Sequence, residues 1–184
     1  MLRPLSSVLE PDPRWIGTVI LDEATNAARP VQIEDVYRLV QPLELATTVP
    51  EEVRSQFDTV RTVFLYSWLS YDLVTVAEQQ GYAVLEMGLR ERFRTDGGKA
   101  PSKRDLKGLL GIALQRGWLR REDYEVPSPY VPGRTICLLD QIGRLRNRLA
   151  HGHTHLFPVG SLEMIRLCAE LLERLFPSAQ SAPD

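Results

Sequence analysis

From Pro50 onward the apolar residues recur at helical spacing, and that period limits the fold more than any other feature. Val53, Phe57, Val60, Phe64, Trp68 and Tyr71 follow one another at steps of four and three, which draws one stripe down a long helix. Pro50 followed by Glu51 and Glu52 starts it, because a first-turn proline loses no needed donor and acids favour the positive end of the dipole. Ser70 reads as the cap of a second helix carrying Val74, Ala77, Val84, Leu85, Leu89 and Phe93 and ending before Asp96-Gly97-Gly98, unless the two run on as one. Ser102 reads as the cap of a third, through Leu106, Leu109, Leu110, Ala113 and Leu114, stopped near Gly117. A fourth is expected from Thr135 to Gly152, and a fifth from Ser161 through Leu162, Ile165, Cys168, Leu172 and Leu175 to Pro177. Short connections and no convincing strand run after residue 50 predict an all-α, up-and-down bundle of about five helices over residues 51–176.

Residues 1–50 follow a different rule. Pro4, Pro11, Pro13, Pro30, Pro42 and Pro50 cut them into pieces too short for long helices. Short strands are expected at Trp15–Leu21 and Val31–Ile33 and a helical turn or two at Glu34–Val40, within an N-terminal arm lying on the bundle or across a partner chain. Residues 177–184 read as a disordered tail. With 184 residues, 43% hydrophobic and 25% charged, the chain fits one domain with a sizeable core, which excludes wholesale disorder. No apolar run approaches the roughly 20 residues of a membrane span, and Met1-Leu2-Arg3-Pro4 opens no signal peptide, so a cytoplasmic location is expected. Cys137 and Cys168 alone exclude a disulfide framework and read as core thiols.

A net charge of -2 conceals a strong asymmetry. Residues 1–60 hold ten acids against five bases, whereas residues 90–121 hold ten bases against three acids. Arg134, Arg144, Arg146 and Arg148 stand against Asp140 alone in residues 134–153. A phosphate-rich partner accounts for this pattern, as do solvated helix faces.

The fourth helical stretch carries the most chemistry. Projected at about 100° per residue, Leu138, Ile142, Leu145 and Leu149 fall within a sector of about 60° and form its packing face. Asp140, Gly143, Asn147 and His151 cluster opposite, with Asn147 and His151 in the i, i+4 relation and Arg146 flanking them. Gly143 admits a close neighbour, and His151 in the last turn lies where the dipole favours an imidazolium. A titrating histidine, an amide to hold its ring and an arginine for a phosphoryl oxygen make a plausible acid–base set. The competing reading is that the Arg and His only satisfy the last carbonyls of a helix.

Arg146-Asn147-Arg148-Leu149-Ala150-His151-Gly152 resembles the motif of HEPN domains, in which an arginine and a following polar residue (Asn, Asp or His) precede a histidine, four residues separating the two. Tyr82, Ala83, Val84, Leu85, Glu86, Leu89 and Arg90 resemble, more loosely, the helix that packs beside that motif. The likeness spans residues 51–176; residues 1–50 have no counterpart in it. It implies a helical bundle that homodimerises through the motif helices, and metal-independent endoribonuclease activity without a cofactor, in a toxin or defence effector with a possible antitoxin or regulatory partner. His151 would activate a ribose 2′-hydroxyl or protonate the leaving oxygen, Arg146 would stabilise the phosphorane-like charge, and Asn147 would orient the groups. Arg144, Arg148, His153, Arg90, Arg94, Lys103 and Arg104 would contact RNA. Some members carry a tyrosine two residues past the histidine, modified by a partner nucleotidyltransferase; His153 stands there, which argues against that regulation. Other members are non-catalytic modules that bind nucleotide or a protein, and this is the alternative.

His151, His153 and His155 alternate, but Gly152 ends the helix and no Cys or carboxylate supplies a fourth ligand before Glu163, so no metal is expected. Glu86 stands one turn before Arg90 as a surface ion pair, or else faces the motif helix and positions Arg146. Trp15, Trp68 and Trp118 show no stacking pattern, and Gly97-Gly98-Lys99 lacks the rest of a phosphate loop.

Overall fold

A computed structural model describes residues 3–22, 25–98, 101–102, 104–128, 131–150 and 158–177 of the chain. Among them the elements run α1 (Pro13–Ile16), β1 (Val19–Asp22), β2 (Ala27–Pro30), α2 (Ile33–Val40), α3 (Glu51–Tyr66), α4 (Leu73–Thr95), α5 (Leu106–Gln115), β3 (Glu125–Pro127), β4 (Thr135–Cys137), α6 (Leu138–Ala150) and α7 (Pro158–Leu175). The chain is helix-rich, and α4 is its axis: α3, α5, α6 and α7 all pack on it. That position follows from sequence, because α4 buries Val74, Ala77, Tyr82, Val84, Leu85, Leu89 and Phe93 around much of its circumference. Gly88 lets α7 come especially close; a β-carbon there would stand 2.2 Å from Leu172 Cδ2. The predicted α3 stripe of Val53, Phe57, Val60 and Phe64 is buried, as are Cys137 and Cys168, and burial pushes the Cys168 thiol up.

The helix ends show where local signals prevailed. α4 stops at Gly97, whose φ of 75° allows its N–H to reach Arg94 O and the Gly98 N–H to reach Phe93 O. α3 and α4 are separate helices, and α4 begins behind Asp72 rather than Ser70. Ser102 does not cap α5: Arg90 donates to both Pro101 O (3.1 Å) and Arg104 O (2.9 Å), and the helix starts only after Asp105, whose carboxylate accepts the Gly108 N–H at 2.9 Å. Ser161 lies inside α7 rather than at its cap. The fourth helix begins at Leu138 instead of Thr135, since Thr135–Cys137 pair antiparallel with Glu125–Pro127, a strand pairing absent from the sequence expectation.

In the arm, the Trp15–Leu21 run divides into helix α1, capped by Asp12, and strand β1. The partner of β1 is Ala27–Pro30 rather than Val31–Ile33, because Gln32 and Asp35 form a reciprocal capping box that turns Ile33 into the start of α2. The arm lies on the turn between α3 and α4 and supplies the hydrogen bonds that turn lacks. Trp15 Nε1–H donates to Ser67 O (2.7 Å), the Asp12 N–H to Trp68 O (2.8 Å) and Arg3 to Leu69 O (2.7 Å), while the Tyr71 N–H donates to the Asp12 carboxylate at 3.0 Å. Arg14 joins Asp12 to Asp72, and its hydrogen bonds hold the Asp12 carboxyl well below the usual carboxylate range. Among the described residues no helix is long and apolar enough to cross a membrane. Residues 178–184, most of the expected tail, fall outside the described residues.

Candidate functional site

The motif stretch lies on the last two turns of α6. Strand β4 runs directly into this helix, and Arg121 reaches across to Asp140 at 2.6 Å, so the first turn is fixed from two sides. Leu139, Ile142 and Leu149 are buried, while Leu138 and Leu145 are only partly so; the packing stripe is therefore rotated from the one expected. Gly143 is covered by α5, where a β-carbon would stand 3.0 Å from Lys107 Cβ.

The rotation changes the place of Arg146. Four residues after Ile142 and seven after Leu139, it continues the inward line of α6 instead of flanking a polar outer face. Its guanidinium points at α4 with Nη2 4.0 Å from Glu86 Oε2, and its side chain keeps 41% exposure. The other carboxylate oxygen of Glu86 accepts from Arg90 at 2.8 Å. Both expected roles of Glu86 thus meet in one side chain: it pairs with Arg90 and faces Arg146.

Gln79, Tyr82, Ala83, Glu86 and Arg146 line a hollow of about 200 Å³ between α4 and α6. Gln79 donates from Nε2 to Leu149 O at 3.3 Å, which ties α4 to the last turn of α6. Sequence reasoning missed Gln79, although its steps of three to Tyr82 and seven to Glu86 place it on the same face of α4. Behind the hollow, Glu78 is buried and accepts from Tyr82 Oη (2.7 Å) and Ser161 Oγ (2.6 Å), which ties the start of α7 to α4. Burial, then the neighbouring Glu78 carboxylate, push the Tyr82 hydroxyl far up, so it stays protonated and donates.

Asn147 is exposed, its Oδ1 3.5 Å from Arg146 Nη1. His151, His153, His155 and Lys103, and the side chain of Arg148, lie outside the described residues. Of the other bases expected to contact RNA, Arg90 spends its donors on Glu86, Pro101 O and Arg104 O and leaves the phosphate set, while Arg94 is exposed and paired with Glu91 at 2.6 Å. Arg104 and Arg144 are exposed without a salt-bridge partner among the described residues, and so is Lys107, which lies against Gly143. Elsewhere in the basic segment Arg116 pairs with Asp96, Arg120 with Glu122 and Arg121 with Asp140. Trp15 and Trp68 are core, and Trp118 lies partly buried beneath Arg92 and Arg116.

Among the described residues, no three His, Cys, Asp or Glu side chains are grouped to hold a metal. The arrangement can bind an anion: one half-exposed guanidinium whose one carboxylate among the described residues is 4.0 Å away, with two amides beside it. Comparison with family models, with curated proteins and with solved structures finds no match.

Proposed function

We propose that the chain is a metal-independent endoribonuclease of HEPN type that works as a homodimer, with Arg146, Asn147 and His151 of both copies in one cleft. The observation that carries this reading is the state of Arg146. A long guanidinium on the inward line of a helix, half-exposed and with one carboxylate at 4.0 Å among the described residues, exchanges that weak contact for a phosphate oxygen at little cost. Arg90, one turn from Glu86, is the contrast: four hydrogen bonds commit it to holding its own chain.

In this reading His151 accepts the proton of a ribose 2′-hydroxyl, whose oxygen then attacks the adjacent phosphorus. The bond to the 5′-oxygen breaks, that oxygen takes up a proton, and the products are a 2′,3′-cyclic phosphate and a 5′-hydroxyl. Arg146 balances the charge that grows on the phosphoryl oxygens, and Asn147 orients the phosphate. Lys107, Arg104 and Arg144 guide the strand. A toxin or defence role suits such an activity.

The test is cleavage of end-labelled RNA by purified protein in EDTA, beside the His151→Ala and Arg146→Ala variants and an all-deoxy substrate. Wild type is expected to cut RNA, leave cyclic phosphates and spare the DNA, with each variant at least 100-fold slower, the scale on which a general base or a charge-stabilising group contributes (roughly 10²–10⁴-fold). RNA left intact by all three proteins, with the dimer still present in sedimentation, would replace this reading with a non-catalytic module that binds nucleotide or a protein.

A further inference from the structure

A second hollow, of about 620 Å³, opens between the arm and α7 and shares no lining residue with the first. Its floor is the buried core of Trp15, Val31, Phe64 and Leu162, and the exposed Val19, Leu39 and Val159 stand at its rim, so its lining is mainly apolar. The size lies within the range of small-molecule sites, which are concave, mainly apolar and preformed.

The walls are braced by polar bridges as well as by packing on the core. The Trp15 indole is pinned to Ser67 O, and Tyr71 meets its edge at 5.3 Å between ring centroids. Arg29 grips Asp35 through two bonds of 2.6 and 2.8 Å, tying β2 to α2. Val19 and Val159 at its edge are 62% and 61% exposed.

The charges around it narrow the occupant. Arg38 lies 3.3 Å from Asp35, and Arg166 lies 3.1 Å from Glu163. All four line the hollow, and each cation already has a carboxylate; Asp35 has Arg29 as well. A charged ligand would have to displace an existing partner, while a neutral one would not.

We propose that this hollow binds an uncharged, apolar small molecule of drug-like size. The site is separate from the hollow at Arg146 and does not depend on ribonuclease activity.

The test is a fluorescence titration with the neutral, polarity-sensitive dye Nile red, beside the anionic dye ANS, at protein concentrations shown to be monomeric or dimeric by sedimentation. Saturable one-to-one binding of Nile red per chain is expected, at least tenfold tighter than ANS. Val159→Arg, which sets a cation at the exposed edge, is expected to weaken Nile red at least tenfold with unchanged circular dichroism, while Val131→Arg, at another exposed apolar residue that does not line the hollow, leaves it unchanged. Equal loss in both variants, no loss in either, tighter ANS than Nile red, or no saturation would each overturn the proposal. So would binding that disappears as the chain self-associates, since a second copy would then be the occupant.

Discussion

Gly81 and Gly88 stand two turns apart on α4 and face α7, yet replacing each by alanine should move stability in opposite directions. Alanine gains about 1 kcal/mol over glycine inside a helix, and both positions receive that gain. At Gly81 the new methyl meets Ile165 Cγ1 at 3.7 Å, Val60 Cγ1 at 3.9 Å and Cys168 Sγ at 4.0 Å, all ordinary contacts, so the gain stands. At Gly88 the methyl meets Leu172 Cδ2 at 2.2 Å, and Leu172 is fully buried. Displacing a packed side chain costs about 1–3 kcal/mol, which turns the gain into a net loss of about 1 kcal/mol. The two variants should differ by about 2 kcal/mol, or roughly 4–8 °C in Tm for a domain of this size. Urea denaturation followed by circular dichroism measures it, with an unchanged slope confirming that the unfolding unit is the same. Leu172→Ala should cost about 2–5 kcal/mol in wild type, and at least about 1 kcal/mol less in the Gly88→Ala background, where the leucine methyl is already unwelcome. Equal stability of the two alanine variants, or additive costs in the double variant, would refute the packing argument.

Glu78→Leu strands the Tyr82 and Ser161 hydroxyls in the core and should lose about 2–4 kcal/mol, whereas Glu78→Gln, which can still bond both, should lose about 1 kcal/mol; equal losses in urea melts would count against the bridge. The Arg29 hydrogen bonds bring Asp35 down to about 2 from an unfolded value of 3.8, so the stability it contributes is complete above about pH 4 and disappears as pH falls through about 2. Asp35→Asn should therefore flatten the acid limb of a tryptophan-fluorescence titration between those values, and superimposable wild-type and variant curves would contradict it. Replacing Arg104, Lys107 and Arg144 together by glutamine should reduce the slope of log affinity for single-stranded RNA against log salt by about 2, and an unchanged slope would place the phosphates elsewhere.

The long helices were legible because period and length reinforce one another over several turns. The stripe from Val53 to Phe64 needed no knowledge of its neighbours, and Gly97 and Gly117 marked helix ends through backbone freedom alone. Several of the failures share a cause, a partner distant in sequence. Ser102 and Asp105 are both acceptable caps, and the choice was made by Arg90 on another helix. Ser161 looked free to cap α7 because Glu78, 83 residues earlier, is invisible to a local reading. Thr135–Cys137 became strand only because Glu125–Pro127 lay alongside. At the candidate site, delaying the start of α6 and turning Leu139 inward moved Arg146 from the flank to the packing line. The pairing of Glu86 with Arg146 was open to sequence reasoning, since both sit at helical spacings from residues already assigned to a common interface.

The bonds from the arm to the α3–α4 turn also set an order of events during synthesis. Trp15 needs Ser67 O, Asp12 needs Trp68 O and the Tyr71 N–H, and Arg14 needs Asp72. At about 5–20 residues per second, the arm leaves the ribosome several seconds before its acceptors exist. Throughout that interval Trp15, buried in the folded chain, has no acceptor for its indole N–H. The arm is thus made well before the turn it docks on, and its buried side chains wait for residues 67–72 to emerge.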